Sequence, residues 1–251
     1  MRRLCDPADA RRLLNPGPVG IITTAWRGNV NAAPIAWMTP LSIDPPRIGA
    51  AIAPERHTAA MIRFSGAFAV NIPGPALLKH TAFLGSLSGL ETNKLEAAGL
   101  ETFRPLFIDA PLIDGCLAWI ECLVEDAIKI GDHTLFVADP VKVQADDEAY
   151  AGRWLLQSRE KSPLTYIGGR HYAVVSDLLE AVVTVDEHGA LVTETYPKSA
   201  RHASSAKPAR PNSGASKATK ATASASSTNP DPARSAANSG AGPAGPARIE
   251  R

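Results

Sequence analysis

The sequence contains no stretch of apolar residues that is long enough to cross a membrane. A transmembrane helix needs about 20 consecutive apolar residues. The first seven residues, MRRLCDP, include three charged residues, and they are unlike the apolar core of a secretory leader. We therefore expect a cytoplasmic protein that does not interact with membranes.

Cysteine is scarce, and the three that occur are Cys5, Cys116 and Cys122. They form no C-x-x-C pair and have no histidines at zinc-finger distances, so we predict neither a disulfide framework nor a metal site. Cys116 and Cys122 fall in one apolar run that reads as a strand. There they would face the same side, roughly 20 Å apart at about 3.3 Å per residue. We predict two buried free thiols.

Two frequent signatures of enzymes are also missing. No G-x-G-x-x-G lies between a predicted strand and a predicted helix, which excludes a Rossmann dinucleotide site. The stretch LGSLSG contains Ser86 and Ser88 but lacks the G-x-S-x-G order of a nucleophile elbow. Nothing in the sequence therefore predicts a hydrolytic triad.

Residues 198–251 contain a single large apolar side chain, Ile249. This segment carries nine basic and two acidic residues, a formal charge of +7. From the totals of 26 basic and 25 acidic residues, 17 basic and 23 acidic residues remain in 1–197, a formal charge of −6. Residues 198–251 cannot bury enough apolar surface to offset the entropy that they would lose on ordering. We predict one folded domain over 1–197 and a disordered basic low-complexity tail over 198–251.

The basic residues of the tail are not interleaved with aromatic residues. A partner that reads nucleic-acid sequence is therefore not expected. Two interpretations remain open, a nonspecific tether for an anionic partner and a solvated extension without a role.

The folded part is rich in strand patterns. The two long apolar runs near residues 117–143 indicate an antiparallel ribbon that turns at Gly131-Asp132, and residues 27–29 join the first two strands in a hairpin. Without regular alternation of strands and helices, the order favours an antiparallel β-barrel with flanking helices. Strands are predicted at residues 19–26, 31–38, 47–53, 67–72, 117–130 and 134–143, and helices at 58–65, 75–87 and 94–98.

Residues 31–58 combine two apolar runs, a double-proline turn and the cluster Arg56-His57-Thr58 at a predicted helix start. The first turn of a helix offers free backbone amides and a positive dipole end, which suit a phosphate. The Thr58 hydroxyl and the Arg56 guanidinium can add to this binding. We predict a cradle for a flat, partly apolar, phosphorylated ligand. The alternative is a capped surface helix with solvated charges.

Seven stretches of the chain, between about residues 15 and 175, resemble in order the flavin reductase-like family and especially its flavoredoxin-type branch. The resemblance implies a mainly β fold, the FMN-binding split barrel, with antiparallel strands of Greek-key type. It also implies a homodimer that holds FMN near the subunit interface. The stretches are GPVGIITT with GNVNAAP, AWMTPLSIDPP, PERHT, SGAFAVNIP, TNKLEAAGL, GDHTLFVADP and PLTYIGGRHY.

The resemblance also implies the residues of the site. His133 is the implied catalytic residue, which could orient a nicotinamide or stabilise reduced flavin. Tyr166 is implied as a lid over the ring, although the family tends to have phenylalanine there. The flavin contacts that the resemblance implies are Asn31, Trp37, Thr58, Lys94, His133 and Tyr166. From the chemistry of the neighbouring residues, we also expect Ala36, Met38, Thr39, Arg56 and His57 to bind FMN.

Other interpretations of single residues stay open at this stage. Trp37 could be a core aromatic residue, and Asn31 could merely close its hairpin turn. Lys94 could be a solvated helix residue, and His133 could end a strand without any ligand.

The implied function is hydride transfer from NADH or NADPH, docked transiently, to bound FMN. Electrons would then pass to free flavin, oxygen, a monooxygenase or another redox partner, because the redox chemistry belongs to the cofactor. Two alternatives are a flavoredoxin-like carrier that a partner protein reduces, and a non-catalytic split barrel that binds haem or another planar ligand.

Overall fold

The computed structural model describes residues 6–15, 17–185 and 191–198. Its strands are β1 (Gly17–Pro18), β2 (Gly20–Trp26), β3 (Asn29–Ile35), β4 (Met38–Ile43), β5 (Pro46–Ile52), β6 (Ala67–Ile72), β7 (Thr102–Phe103), β8 (Leu112–Ile113), β9 (Ala118–Ile130), β10 (His133–Ala145), β11 (Leu164–Gly168), β12 (His171–Val174), β13 (Leu178–Val185) and β14 (Leu191–Lys198). Its helices are α1 (Ala10–Leu13), α2 (His57–Ser65), α3 (Leu78–Ser86) and α4 (Lys94–Ala97).

Seven strands form one antiparallel sheet in the order β3-β2-β6-β9-β10-β5-β4. Neighbours such as β2 and β6, or β10 and β5, are far apart in the chain, as in a Greek-key arrangement. Strands β3 and β4 stand at opposite ends of this order, yet only Ala36 and Trp37 separate them. Because two residues span roughly 7 Å at most, the sheet must curl until its two edges meet at this linker.

The interior of the curled sheet is apolar. Ile22 of β2, Phe68 of β6 and Phe136 of β10 are fully buried in one cluster. Helix α2 contributes Ala59 and Ile62 to the same cluster, so its inner face is held by the barrel core. The first turn of α2 is thereby fixed against the strands.

The other face of β2 is covered by helices. Ile21 packs in a second buried cluster with Leu77, Leu84 of α3 and Leu95 of α4. Since Ile21 and Ile22 are adjacent, they point to opposite faces of the strand, and both are fully buried. This second cluster positions the segment between α3 and α4, which contributes to the candidate site.

Most predicted elements are confirmed, including β6, α2 and the β9–β10 ribbon. One difference concerns the predicted strand 31–38, which the structure divides. Its first part is β3, and Met38 begins β4, which pairs with β5 as a hairpin. The division follows from the curvature of the sheet, because one straight strand could not belong to both edges.

The two cysteines in the described residues are buried and free, as predicted, but their predicted common strand is wrong. Cys116 precedes β9 and packs in the helix-covered cluster, whereas Cys122 of β9 lies in the barrel cluster. Burial raises the pKa of each thiol to about 12.

The remaining expectations concern the ends of the domain and membranes. The predicted boundary between residues 197 and 198 falls one residue before the end of β14, and the rest of the predicted tail, residues 199–251, lies outside the described residues. Among the residues described, no helix is sufficiently long and apolar to span a membrane.

Candidate functional site

A cleft of about 980 Å³ opens beside the linker between β3 and β4. Four further segments line it, the start of α2 with the residues before it, the end of α3 with the loop that follows it to Leu90, the start of β10, and the β11–β12 hairpin. This volume lies at the upper end of the range of about 300–1,000 Å³ for ligand sites. The cleft therefore has room for a large flat ligand.

The N-terminus of α2 faces this cleft. Arg56 is the exposed N-cap residue with extended backbone angles, and no side chain caps the first turn. Thr58 is 3% exposed, and Arg56, His57 and Thr58 all line the cleft. The free amides of this turn and the Arg56 guanidinium can hold an anion.

Asn31 connects β3 to this helix end. The buried side chain is 1% exposed, and its Nδ2 donates a 2.8 Å hydrogen bond to Oγ1 of Thr58. Its Oδ1 is buried and has no hydrogen-bond partner among the described residues. Because a buried acceptor without a partner is costly, this atom indicates a place where a ligand can donate a hydrogen bond.

Lys94 begins α4 beneath the cleft and is only 5% exposed. Its Nζ donates a 2.9 Å hydrogen bond to the carbonyl of Leu84, near the end of α3. Burial and then the charge of Arg56 lower the pKa of Lys94. Lys94 therefore supports the loop after α3 and adds positive charge to the anion end of the cleft.

Trp37 and His133 form an aromatic pair in the cleft. Their ring centroids are 4.7 Å apart, and Trp37 remains 40% exposed. Nδ1 of His133 lies 2.7 Å from Oδ1 of Asp132, and this hydrogen bond lowers the pKa of the Asp132 carboxyl. In the neutral tautomer that donates from Nδ1 to Asp132, Nε2 of His133 is a hydrogen-bond acceptor.

A second aromatic pair lines the cleft from the β11–β12 hairpin. The rings of Tyr166 and Tyr172 meet edge to face, with centroids 5.4 Å apart. Arg170 follows Gly169 in the turn between the two strands and is exposed. The cleft thus has aromatic surface and a cation on this hairpin as well.

The family model described as "Flavin reductase like domain" matches residues 11–175. The chain belongs to this family. All the cleft-lining segments lie within the matched range, so the site is part of the flavin reductase-like domain.

Two relatives of known sequence can be compared with the chain. The chain is 36% identical over 169 residues to an uncharacterized protein of Aeropyrum pernix, a match that covers 67% of this chain and 63% of that protein. It is 29% identical over 111 residues to the NADH-dependent flavin reductase StyB of Pseudomonas fluorescens, covering 44% of this chain and 61% of that enzyme. The chain thus spans less than two thirds of the length of these two relatives.

A solved structure extends the comparison to the fold. The FMN-binding domain of a flavin reductase-like enzyme from Shewanella baltica superposes with a TM-score of 0.58 and 29% identity, covering 68% of this chain and 92% of that one. The predicted FMN-binding split-barrel fold is thereby confirmed.

The flavin reductase-like domain brings most of the predicted site residues to one cleft. The exposed position of Trp37 excludes its interpretation as a core residue, and burial excludes a solvated Lys94. Three predicted residues do not line the cleft, namely Asn31, Met38 and Thr39. Met38 packs against the barrel cluster, and Thr39 is exposed with its hydroxyl bonded to the carbonyl of Pro40. The predicted residues that line the cleft are Ala36, Trp37, Arg56, His57, Thr58, Lys94, His133 and Tyr166, with Asn31 directly beneath.

The structure adds cleft residues that the sequence prediction missed. The end of α3 and the loop after it, from Gly85 to Leu90, line the cleft, as do Arg170 and Tyr172. This loop lacks a hydrolase motif. Its glycines were the available signal, because glycine permits a close backbone approach.

Proposed function

We propose that the chain is an FMN-dependent oxidoreductase that takes hydride from NADH or NADPH and passes electrons onward. The observation that carries the proposal is a single cleft lined by two unlike groups of residues. The free first turn of α2, with Arg56 and Thr58, suits a phosphate, and the Trp37–His133 pair offers aromatic surface to a ring. FMN combines these two chemical groups.

The unsatisfied acceptor of Asn31 supports FMN over a simpler planar ligand. Oδ1 can only accept a hydrogen bond, and the ribityl chain between the phosphate and the ring of FMN carries hydroxyl donors. The backbone at Gly89 lies directly over this atom, since a methyl group there would come within 2.8 Å of Asn31 Cγ. The Gly89 backbone and the Asn31 side chain are therefore in close contact beside His57 at the start of α2.

At the start of α2, the phosphate of FMN would be held by the backbone amides, the Thr58 hydroxyl and the Arg56 guanidinium. Charge-assisted hydrogen bonds of this kind are roughly twice as strong as neutral ones. Lys94 would act mainly through its charge, because its Nζ already donates to the Leu84 carbonyl. This end would fix the position of the cofactor.

FMN held by these residues would supply the redox chemistry, which is the transfer of two electrons and one proton from a dihydronicotinamide and of the two electrons onward to an acceptor. The Trp37 and His133 rings would orient the planar groups by stacking. Asp132 would hold the His133 ring through Nδ1, which leaves Nε2 to exchange a hydrogen bond with a ligand. These residues would position the reacting rings and exclude water from them. None of the residues is required as a nucleophile.

The proposal also includes the oligomeric state of the protein and its electron acceptor. We infer a homodimer in which each barrel holds one FMN, with free flavin, oxygen, a monooxygenase or another redox protein as acceptor. Light scattering of the purified protein tests the dimer, with an expected mass of twice 26.4 kDa.

Absorption spectroscopy of the purified protein tests the function. We expect FMN titration to give a saturable perturbation of the flavin bands between about 350 and 500 nm, and anaerobic NADH or NADPH to bleach the bound flavin. The variant Thr58→Val should bind FMN about tenfold more weakly, because one charge-assisted hydrogen bond contributes roughly 1.5–3 kcal/mol. Thr39→Val is the matched control, since Thr39 lies outside the cleft, and it should bind like the wild type.

The outcomes separate the rival functions. Flavin that binds but is bleached only by a reduced protein partner would indicate an electron carrier. A colourless protein that ignores FMN and binds haem would indicate the non-catalytic module. Equal losses of affinity in the Thr58 and Thr39 variants would remove the α2 site from the proposal.

A further inference from the structure

The turn between β11 and β12 has an unusual backbone. Gly168 and Gly169 have φ angles of 139° and 59°, values that side chains rarely adopt. The strand pairing also shifts its register between Tyr166 and Gly168. This turn carries Arg170, which lines the same cleft as Tyr166 and Tyr172. The two glycines thus determine where this arginine stands.

Arg170 has no ion pair within the described part of the chain. By contrast, Arg47 is paired with Asp139 at 3.1 Å, and Arg12 with Asp9 at 2.8 Å. Arg56 resembles Arg170 in having no such pair among the described residues. The two unpaired arginines of the cleft are therefore both available to an anionic ligand.

The charge of the cleft is opposite to that of its domain. Residues 1–197 carry a formal charge of −6, yet the lining has the three cations Arg56, Lys94 and Arg170 and the single carboxylate of Glu55. Arg56 and Lys94 belong to the α2 end, where the pKa of Lys94 responds to Arg56. Arg170 belongs to a different element, so it can serve a second anionic group.

A nicotinamide dinucleotide brings such a group. Its pyrophosphate is usually held by a glycine-rich loop at a helix N-terminus, and no G-x-G-x-x-G joins a strand to a helix in 1–197. The one uncapped helix start in the cleft, that of α2, is taken by the FMN phosphate in the proposed function. The phosphates of the dinucleotide would then have to bind a cationic side chain instead of a helix start.

We propose that Arg170 binds a phosphate of the reduced nicotinamide dinucleotide and so determines how well the domain uses this hydride donor. The proposal rests on the proposed function of the cleft. The arginine fork can bind a phosphate in bidentate fashion, while Tyr166 and Tyr172 on the flanking strands offer ring surface. Arg170 is thus a substrate-binding residue rather than a cofactor ligand.

Steady-state kinetics with saturating FMN test the proposal on Arg170→Ala, Arg170→Lys and the charge-matched control Arg104→Ala, whose exposed arginine lies outside the cleft lining. NADH, NADPH and the phosphate-free donor N-benzyl dihydronicotinamide serve as substrates. We expect Arg170→Ala to raise KM for at least one dinucleotide about tenfold with kcat unchanged, the size of one charge-assisted contact. Arg170→Lys should retain most of the affinity, and Arg104→Ala all of it.

The phosphate-free donor and the cofactor supply the critical comparisons. KM for N-benzyl dihydronicotinamide and Kd for FMN should not change in Arg170→Ala, and KM of the wild type for dinucleotides should rise with salt more steeply than that of the variant. A rise in KM for NADPH alone would assign the arginine to the 2′-phosphate, and an equal rise for both dinucleotides would assign it to the pyrophosphate.

Three results would overturn the proposal: no change in KM, an equal change with the phosphate-free donor, or a matching loss of FMN affinity. A wild type that fails to bind FMN, or that binds FMN but is reduced by neither dinucleotide, would refute the proposed function and this proposal together. A wild type that both dinucleotides reduce, with the same KM in Arg170→Ala, would overturn this proposal alone, so the two failures are distinguishable.

Discussion

Gly89 lies so close to Asn31 that a methyl group on its Cα would collide with the side-chain amide, coming within 2.8 Å of Cγ and closer still to Oδ1. The loop after α3 therefore packs its backbone against the one buried acceptor of the cleft that lacks a partner among the described residues. Glycine is required here by space rather than by backbone angle.

Gly89→Ala is expected to displace either the loop or the Asn31 side chain. FMN affinity should fall about tenfold or more, and the free energy of unfolding should fall by about 1–3 kcal/mol, as for other overpacked sites. Flavin fluorescence titration and denaturant unfolding measure the two effects. Gly17→Ala is the control, because the nearest atom to its new methyl group lies at 3.5 Å. Wild-type FMN affinity in a folded Gly89→Ala protein would show that the contact between Gly89 and Asn31 does not affect FMN binding.

Lys94→Met tests the buried ammonium group. Because burial and Arg56 lower the pKa of Lys94 below 10.5 in the folded protein, the unfolded chain binds more protons between the lowered value and 10.5. The contribution of Lys94 to the free energy of unfolding thus rises with pH across that window and is constant below it. The stability of the wild type relative to Lys94→Met should therefore increase from pH 7 to pH 10.

Urea unfolding at the two pH values measures this difference. Lys79→Met, which removes an exposed lysine of α3, controls for the loss of one charge. A relative stability that is flat or falls with pH would mean that the ammonium group is better solvated than its position indicates. FMN affinity should also be lower in Lys94→Met than in Lys79→Met, because the anion end loses a cation.

Trp37→Ala and Trp37→Phe test the aromatic wall. Removing the ring should weaken FMN binding about tenfold, because an aromatic pair contributes roughly 0.5–1.5 kcal/mol beyond its buried area, and the ring area is lost too. Phenylalanine should restore the affinity to within about threefold. Isothermal titration calorimetry with FMN gives both values. If alanine and phenylalanine bind alike, the ring of Trp37 does not contact the cofactor.

Cys116 and Cys122 should resist alkylation in the native protein. Their pKa values of about 12 leave almost no thiolate at pH 8, and thiolate is the reactive form. Iodoacetamide treatment followed by peptide mass spectrometry should show both residues unmodified until guanidinium is added. Labelling of either residue in the folded state would contradict its burial. As pH rises from about 9 towards 12, both thiols should also reduce stability, since only the unfolded chain then loses these protons.

Truncation after Lys198, the last residue of β14, should leave Kd for FMN unchanged within about twofold. The family match ends at residue 175, and every cleft residue precedes that point. The full chain and the truncated chain can be compared by fluorescence titration at low and high salt. Loss of FMN binding on truncation would place part of the site in the basic tail. An unchanged affinity at both salt concentrations would restrict any role of the tail to other partners.

The sequence predicted the elements that have strong local signals. Residues 67–72 alternate clearly and form β6 as expected, and the cluster Arg56-His57-Thr58 begins α2. His133 was placed correctly at a strand start because Gly131 and Asp132 mark the turn before it. These signals lie within a few residues of the feature that they predict.

Features that depend on distant contacts could not be predicted in this way. The division of the 31–38 run at Ala36 and Trp37 depends on the curling of the whole sheet. The side chain of Met38 reaches the barrel core for the same reason. Arg170 shows no local sign of a role, since only the folding of its hairpin brings it to the cleft.

The two-residue linker of Ala36 and Trp37 both closes the barrel and lines the cleft. An inserted residue there would shift the pairing of β4 with β5, because side chains alternate along a strand and a one-residue slip reverses them. Natural length variation among homologous chains should therefore avoid this joint and accumulate in outer turns. A ligand bound in the cleft would contact this linker directly. Its binding should therefore slow hydrogen exchange in strands that the ligand does not contact.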